Sequence, residues 1–349
     1  MAGPLVSVII PTYNRAYCLA DTLDSVLAQT YSNLEIIVID DGSSDDTRKL
    51  FEGRYAQEYR IKYFYQHNTG LPGARNAGIR HANGKYIAFC DSDDIWLPHK
   101  LTVQVASMEG FPEVGLSWTD LSAVDPDGNR LHERYTRVGY ATWGLFTMEQ
   151  LFQKTAQLSA LQSDLSLNGD VYVGNIFTPM IVGAIINIPT VMVRRSIMDK
   201  VGLFNETMKV GEDYDFDLRM CCEAPAAFID VVTIDYRVGA ADQLTRPELL
   251  ADQAKNSLRT LDPIVKRHRD RIQLSNAELR RVFAGRYRWL GQAEMDMENF
   301  GAARSAFFCS LCRQPIQPRI LALFLALSVP SAAVSALRSL FRKFKQLVG

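Results

Sequence analysis

The sequence predicts a doubly wound, mostly parallel α/β sheet followed by an all-helical region, on three observations. Strand and helix patterns alternate four times within about the first 90 residues. Two short apolar runs end abruptly in acids, at Asp40-Asp41 and at Asp91-Ser92-Asp93-Asp94. Beyond about residue 245 the alternation stops and only helical periodicity remains.

The elements follow in order. Val6-Ser7-Val8-Ile9-Ile10 reads as a buried strand ended by Pro11, and Leu19, Leu23, Val26 and Leu27 mark one face of a helix. Leu34 to Ile39 is a second strand. Asp45-Asp46 then supplies an N-cap and an acidic first turn for a helix reaching roughly Tyr59. Ile61 to Tyr65 is a third strand, Gly70-Leu71-Pro72-Gly73 opens a helix through His81, and Tyr86 to Cys90 is the fourth strand. The stretch from about 120 to 188 is rich in Gly, Asn and Ser and has no clear period. Regularity returns in a strand at Thr190–Val193, helices at Ser196–Val201 and Glu212–Cys222, and a strand at Val231–Arg237. In the last part, Tyr287, Leu290, Ala293, Ala302, Ala303 and Ala306 fit a helix-turn-helix around Asn299-Phe300-Gly301. The expected division is 1–240 for the α/β domain and 241–349 for the helical region.

Charged residues at 22% and hydrophobic ones at 47% describe an ordinary globular protein. The net charge of −1 hides an asymmetry. After Glu298 there is no acid, while Arg304, Arg313, Arg319, Arg338, Arg342, Lys343 and Lys345 are basic, which leaves the first 298 residues at about −8. No basic stripe accompanies the acidic runs, so nucleic acid is not the expected partner. The six cysteines form no disulfide framework. Cys309-x-x-Cys312 has redox or zinc spacing but no second pair, and reads as plain buried thiols. The apolar run at Val6–Ile10 is too short for a signal peptide, so a reducing cytoplasm is the expected compartment.

The chemistry lies in the acids. At the carboxyl end of a strand in an open α/β sheet, like charges this dense call for a cation or a metal-bound phosphate. With strand alternation, Asp91 and Asp93 would face one cleft while Ser92 points away. Hard oxygen ligands suit Mg²⁺ or Mn²⁺. Asp40-Asp41-Gly42-Ser43 reads equally as a turn with a helix cap, and Arg75 equally as a solvated helix residue. Gly211-Glu212-Asp213-Tyr214-Asp215 opens a helix, where acids suit the dipole. The apolar neighbours Met208, Val210 and Phe216 also point to a partly buried, working carboxylate.

Five runs, in order over about residues 4 to 238, resemble the inverting family 2 glycosyltransferases. They are Val6 to Arg15, Asp40 to Thr47, Gly73-Ala74-Arg75-Asn76-Ala77-Gly78, Gly84 to Asp94, and Arg194 to Asp213. The resemblance implies a GT-A-like doubly wound mixed sheet that binds a nucleotide-diphosphate sugar. By position, Pro11, Tyr13 and Asp41 would surround the base with Asp40 beside them, and Arg75 would approach the nucleotide. Asp91 and Asp93 would form the Asp-x-Asp pair, with Asp93 holding Mn²⁺ or Mg²⁺. Asp213 would be the general base and Glu212 would position it. Two positions depart from the pattern: Val238-Gly239 stands where members often carry a metal-binding His, and Asn205 precedes Glu206 where an acid is common. No Gln-x-x-Arg-Trp stretch is present, which favours transfer of single sugars over polymer extrusion.

The expected partners are thus a nucleotide-diphosphate sugar, a UDP-sugar by resemblance, and a glycan or lipid-linked saccharide acceptor. The run Ile320–Leu337 has no charge over 18 residues, is divided by Pro330 and is followed by basic residues. It predicts interfacial attachment to the cytoplasmic membrane surface from about residue 320 rather than a span; a helix pair packed on the preceding helices is the alternative. Two rival functions fit parts of the pattern. One is a nucleotide-sugar-binding scaffold without catalysis. The other is a haloacid-dehalogenase-type phosphatase with Asp91 as nucleophile, which leaves Asp40 unexplained.

Overall fold

The computed structural model describes residues 3–162, 167–239 and 246–328. They fall into two compact units, Met1–Gln243 and Leu244–Gly349.

The first unit is built on one sheet, in which the described residues form β1 (Val6–Thr12), β2 (Leu34–Asp40), β3 (Ile61–Tyr65), β4 (Tyr86–Phe89), β5 (Ile95–Trp96), β6 (Leu116–Val124), β7 (Arg130–His132), β8 (Lys154–Gln157), β9 (Asp170–Gly174), β10 (Met192–Arg194) and β11 (Ala226–Arg237). The order is β3-β2-β1-β4-β10-β6-β11-β9-β8, with β5 on β11 and β7 on β6. The first four strands run parallel. The crossovers that parallel pairing requires include the helices α1 (Leu19–Leu27), α2 (Thr47–Glu52) and α3 (Leu71–His81). α1 buries Leu19, Leu23 and Val26 of its predicted face, and Thr22 with them, while Leu27 is half-buried.

The expectation of a mostly parallel sheet fails beyond β4. β10 pairs antiparallel with β4 and β6, and β9 with β11 and β8, while β11 runs parallel to β6, so the sheet is mixed, as the family resemblance implies. Much of that half comes from the stretch without a readable period. β6 shows why: its apolar and polar residues alternate but slip phase at Thr119-Asp120, and the polar ones are buried along with the rest.

Three local expectations also need correction. The first strand does not stop at Pro11 but continues to Thr12. Ile9 O accepts from Cys90 N, so two residues on Pro11's nitrogen faces the same side, past the end of the β4 pairing, where no hydrogen bond is lost. The helix expected to reach Tyr59 ends at Glu52. Tyr55 is instead drawn inward, its hydroxyl donating to Ala20 O at 3.0 Å and Asp24 Oδ1 at 2.8 Å. Thr190 belongs to a 3₁₀ turn, Ile188–Thr190, and the strand follows at Met192. Three further helices complete the frame used below: α4 (Lys100–Gly110), α5 (Arg195–Val201) and α6 (Glu212–Glu223).

The second unit is helical: α7 (Leu250–Arg267), α8 (Asn276–Asp296), α9 (Phe300–Arg313) and α10 (Pro318–Ala326). A capping box of Ser275 and Glu278 starts α8, and the α8–α9 turn passes through Glu298 at φ 63°. Ala303, Ala306, Phe307 and Ser310 form the inner face of α9. Cys309 and Cys312 therefore fall off that face: Cys309 is half-buried and Cys312 exposed, both free thiols, so the expectation of buried thiols is wrong there. No helix of the described residues is long and apolar enough to cross a membrane. Of the apolar run 320–337, residues 329–337 lie outside the described residues, as do the basic residues that follow.

Candidate active site

β1, β2 and β4 end on one edge of the sheet, so the acidic runs after β2 and β4 meet there, outside the carboxyl ends of parallel strands. Asp40, the last residue of β2, and Asp41 after it are both buried. Asp40 Oδ1 accepts the Ser43 N–H at 2.8 Å and Oδ2 the Tyr63 hydroxyl at 2.6 Å. Asp41 holds the following loop. Its Oδ1 accepts from Gln66 Nε2 (2.7 Å), Thr69 N (2.9 Å) and Thr69 Oγ1 (3.1 Å), and its Oδ2 from Gly70 N (2.8 Å). Pro11 is buried beside them, while the Tyr13 ring is 50% exposed.

After β4 the chain turns, with Asp94 N donating to Asp91 O at 3.2 Å. Strand alternation therefore does not apply to Asp91 and Asp93. The pairing of β4 ends at Phe89, which frees the acids from the pleat. Each carboxylate has its own guanidinium instead: Asp91 Oδ1 accepts from Arg75 Nη2 at 2.9 Å, and Asp93 Oδ2 from Arg15 Nη1 at 2.7 Å. Ser92 is fastened by its carbonyl, which accepts from Thr22 Oγ1 at 3.0 Å. Asp94 is fully buried; its Oδ1 accepts from Arg237 N at 3.4 Å, and its Oδ2 has no partner.

The third acidic run starts α6. Gly211 stands before it at φ 76°, a left-handed backbone that suits glycine, and Glu212, Asp213 and Asp215 fill the first turn. Glu212 Oε1 accepts from Arg75 Nη1 at 2.8 Å. One guanidinium, itself 1% exposed, therefore joins the acid after β4 to the acid at the start of α6, 121 residues further on in the chain. Arg75 is not a solvated helix residue: each of its terminal nitrogens donates to a carboxylate. Its neighbour Asn76 makes a second clasp. Asn76 Nδ2 donates to Phe204 O (2.9 Å) and Glu206 Oε1 (2.8 Å), and its Oδ1 accepts from Phe204 N (2.9 Å). Asn205 serves a local turn by accepting from Thr207 N and Oγ1.

The electrostatics follow from this crowding. Burial, with Asp91 adding to it, raises Asp93 despite Arg15. Burial raises Glu212 too, Asp213's charge adds to the rise, and Arg75 opposes it. Asp213, partly exposed, is raised mainly by burial; the Tyr214 N–H at 2.7 Å from its Oδ1 and Arg75 pull the other way. Asp217, one turn along α6 and buried, goes well up by burial and by Asp213, and its Oδ1 has no partner. Burial works against the Arg75 cation, yet Asp91, Glu212 and Asp213 hold its pKa above the ordinary value. Acids outnumber guanidiniums here. The deficit of positive charge, with two hard oxygen donors at Asp91 and Asp93, fits a divalent cation. Among the described residues no three His, Cys, Asp or Glu side chains could hold a metal ion by themselves.

Sequence reasoning missed Arg15, Asn76, Asp94 and Asp217. The first three lie inside the quoted runs, but nothing in one sequence separates a paired Arg or Asn from a solvated one. Asp217 at least has a signal, its four-residue spacing from Asp213 on the same helix face.

A mixed sheet with acids at its parallel carboxyl edge, followed by helices, is the GT-A arrangement of nucleotide-sugar glycosyltransferases. The crystal structure of S. aureus TarS 1-349 in complex with UDP-GlcNAc shares this fold at a TM-score of 0.59 and 18% identity, covering 98% of this chain and 91% of that one. Residues 7–165 match the sequence model of Glycosyl transferase family 2, and that part of the chain belongs to the family. An uncharacterized glycosyltransferase of Rickettsia bellii (strain RML369-C) is 32% identical over 247 residues. That match takes in 71% of this chain and 29% of the relative, so the chain spans under a third of its length. The UDP-Glc:alpha-D-GlcNAc-diphosphoundecaprenol beta-1,3-glucosyltransferase WfgD of Escherichia coli is 45% identical over 105 residues, 30% of this chain and 41% of that protein. The phosphatase reading of Asp91 falls with this result.

Proposed function

We propose that the chain is a metal-dependent inverting glycosyltransferase that moves a single sugar from a UDP-sugar to a hydroxyl of a cell-surface or lipid-linked glycan. The observation that carries the reading is the Arg75 bridge, because it brings the acids of the donor side and the acceptor side to one place. The UDP-sugar and the lipid-linked acceptor rest on the substrates that WfgD is named for and on the UDP-GlcNAc held by TarS.

The division of labour follows from the side chains. The exposed Tyr13 ring offers a stacking face to the base, with the buried Pro11 two residues before it in the chain. Asp41 Oδ2 accepts only from Gly70 N, so it keeps a lone pair for an N–H of the base, while Asp40 fixes the turn behind it. Asp93 and Asp91 would hold Mn²⁺ or Mg²⁺, which when bound offsets the charge that develops on the leaving diphosphate. Asp213 Oδ1 is taken by the Tyr214 N–H, leaving Oδ2 to receive the proton of the acceptor hydroxyl as its oxygen attacks. A carboxylate raised by burial is a stronger base than an ordinary one. Glu212, held by Arg75, positions it. One attack from the face opposite the leaving group inverts the anomeric carbon.

The test is Asp213→Asn. Transfer should be abolished while UDP-sugar binding, read by thermal shift with Mn²⁺, stays intact; near-normal turnover would remove Asp213 from the role of base. The binding-scaffold reading draws on Val238 in place of the family's frequent His. Release of nucleoside diphosphate with some donor and acceptor decides against it.

A further inference from the structure

We infer that the C-terminal unit carries a docking face for an anionic membrane surface, built from α10 and the groove beside it. α10 has one charged residue, Arg319. Ile320 and Leu327 turn inward to Ala303 and Phe307. Leu321 and Leu325, one turn apart, face outward at 45% and 57% exposure. Ile316 and Phe308 are exposed as well, and the Phe308 ring lies 5.9 Å from that of Phe324, which joins α9 to the stripe. A contiguous apolar surface of this kind marks a contact site.

What covers it is set by charge. The groove beside α10 has a volume of about 670 Å³, and its lining includes Arg288, Trp289, Ile316 and Arg319 and no acid. Nor does any acid follow Glu298 in the sequence. Lipid phosphates satisfy the guanidiniums while the leucines enter the acyl boundary, which is how an interfacial helix binds. A second copy of the chain is disfavoured, since a two-fold contact would set these arginines against their own copies. α10 rises about 14 Å, less than half the hydrocarbon thickness, so the helix lies on the membrane. This inference stands independently of the sugar-transfer reading.

The test is flotation of the full chain with vesicles of phosphatidylcholine alone and of equal parts phosphatidylcholine and phosphatidylglycerol. Binding should require the anionic lipid and weaken with salt. Arg288→Gln with Arg319→Gln should lower the affinity roughly 30-fold. Leu321→Asp with Leu325→Asp should lower it at least about tenfold, with thermal melting unchanged. Ile316→Asp, at a site 87% exposed, gives the same reading should the leucine pair disturb folding. Equal binding to both vesicles, or variants that bind like the parent, overturns the inference. So does a shift from dimer to monomer in the variants without a change in vesicle binding, which would assign the face to a second copy.

Discussion

Arg75→Gln tests the bridge on which the site is built. Arg75 is 1% exposed, its partner Glu212 6% and its partner Asp91 27%. The Glu212 arm is thus a buried ion pair, and removing one member of such a pair costs about 3–5 kcal/mol because the other charge is left uncompensated. The Asp91 arm, partly solvated, adds less. Urea denaturation at neutral pH should show a loss in that range with an unchanged slope. The loss should also depend on pH. Arg75 opposes the rise in the Glu212 pKa, so its removal lifts that pKa further. A carboxyl whose folded pKa lies above its unfolded one destabilises the native state when ionised, and the penalty fades as pH falls through the folded value. The gap between parent and Arg75→Gln should therefore narrow from pH 8 to pH 5. Arg75→Lys should recover part of it, since one ammonium cannot fork to two carboxylates. A gap under about 1 kcal/mol, or one constant over that pH range, would refute the account.

Asp93→Ala should weaken Mn²⁺-dependent binding of the UDP-sugar while leaving metal-free binding of uridine unchanged, measured by calorimetry. Lys100 is fully buried, donates to Gln104 Oε1 at 2.5 Å and Thr190 O at 3.1 Å, and is lowered by burial to about 7. Unfolding lets it take up a proton between pH 7 and its ordinary value, so the parent should gain stability from pH 7 to 10; Lys100→Met should lose that gain in urea titrations. Gly84→Ala should cost at least about 2 kcal/mol. A Cβ there would lie 2.6 Å from Tyr86 O and 2.7 Å from Leu5 O and Ser7 N, all backbone atoms that cannot move aside.

The parallel half of the sheet was legible because three of its strands run into punctuation: Pro11, Asp40-Asp41 and Asp91 mark where the apolar runs stop. The mixed half was not, because a strand such as β6 slips phase at Thr119-Asp120 and buries its polar residues as fully as its apolar ones. The acids of the site were legible from charge density and from family resemblance, but not what each one touches. Asp41 fastens a loop 25 to 29 residues away in sequence, and Arg75 reaches 137 residues to Glu212. Such pairings depend on the closed topology, which no local pattern encodes. The turn at Asp91–Asp94 shows the limit of period arguments, since one residue beyond the last strand hydrogen bond, from Cys90 N, the pleat no longer applies.

Adjacent residues of α3 grip two successive points of one distant segment: Asn76 the backbone at Phe204, Arg75 the side chain of Glu212. With two anchors, that segment can neither pivot about a single contact nor slide along the helix without breaking several hydrogen bonds together. Loosening either hold should therefore free the whole stretch between them, so that damage at Asn76, which touches no proposed reactant, would be felt at Asp213 as a misaimed carboxylate.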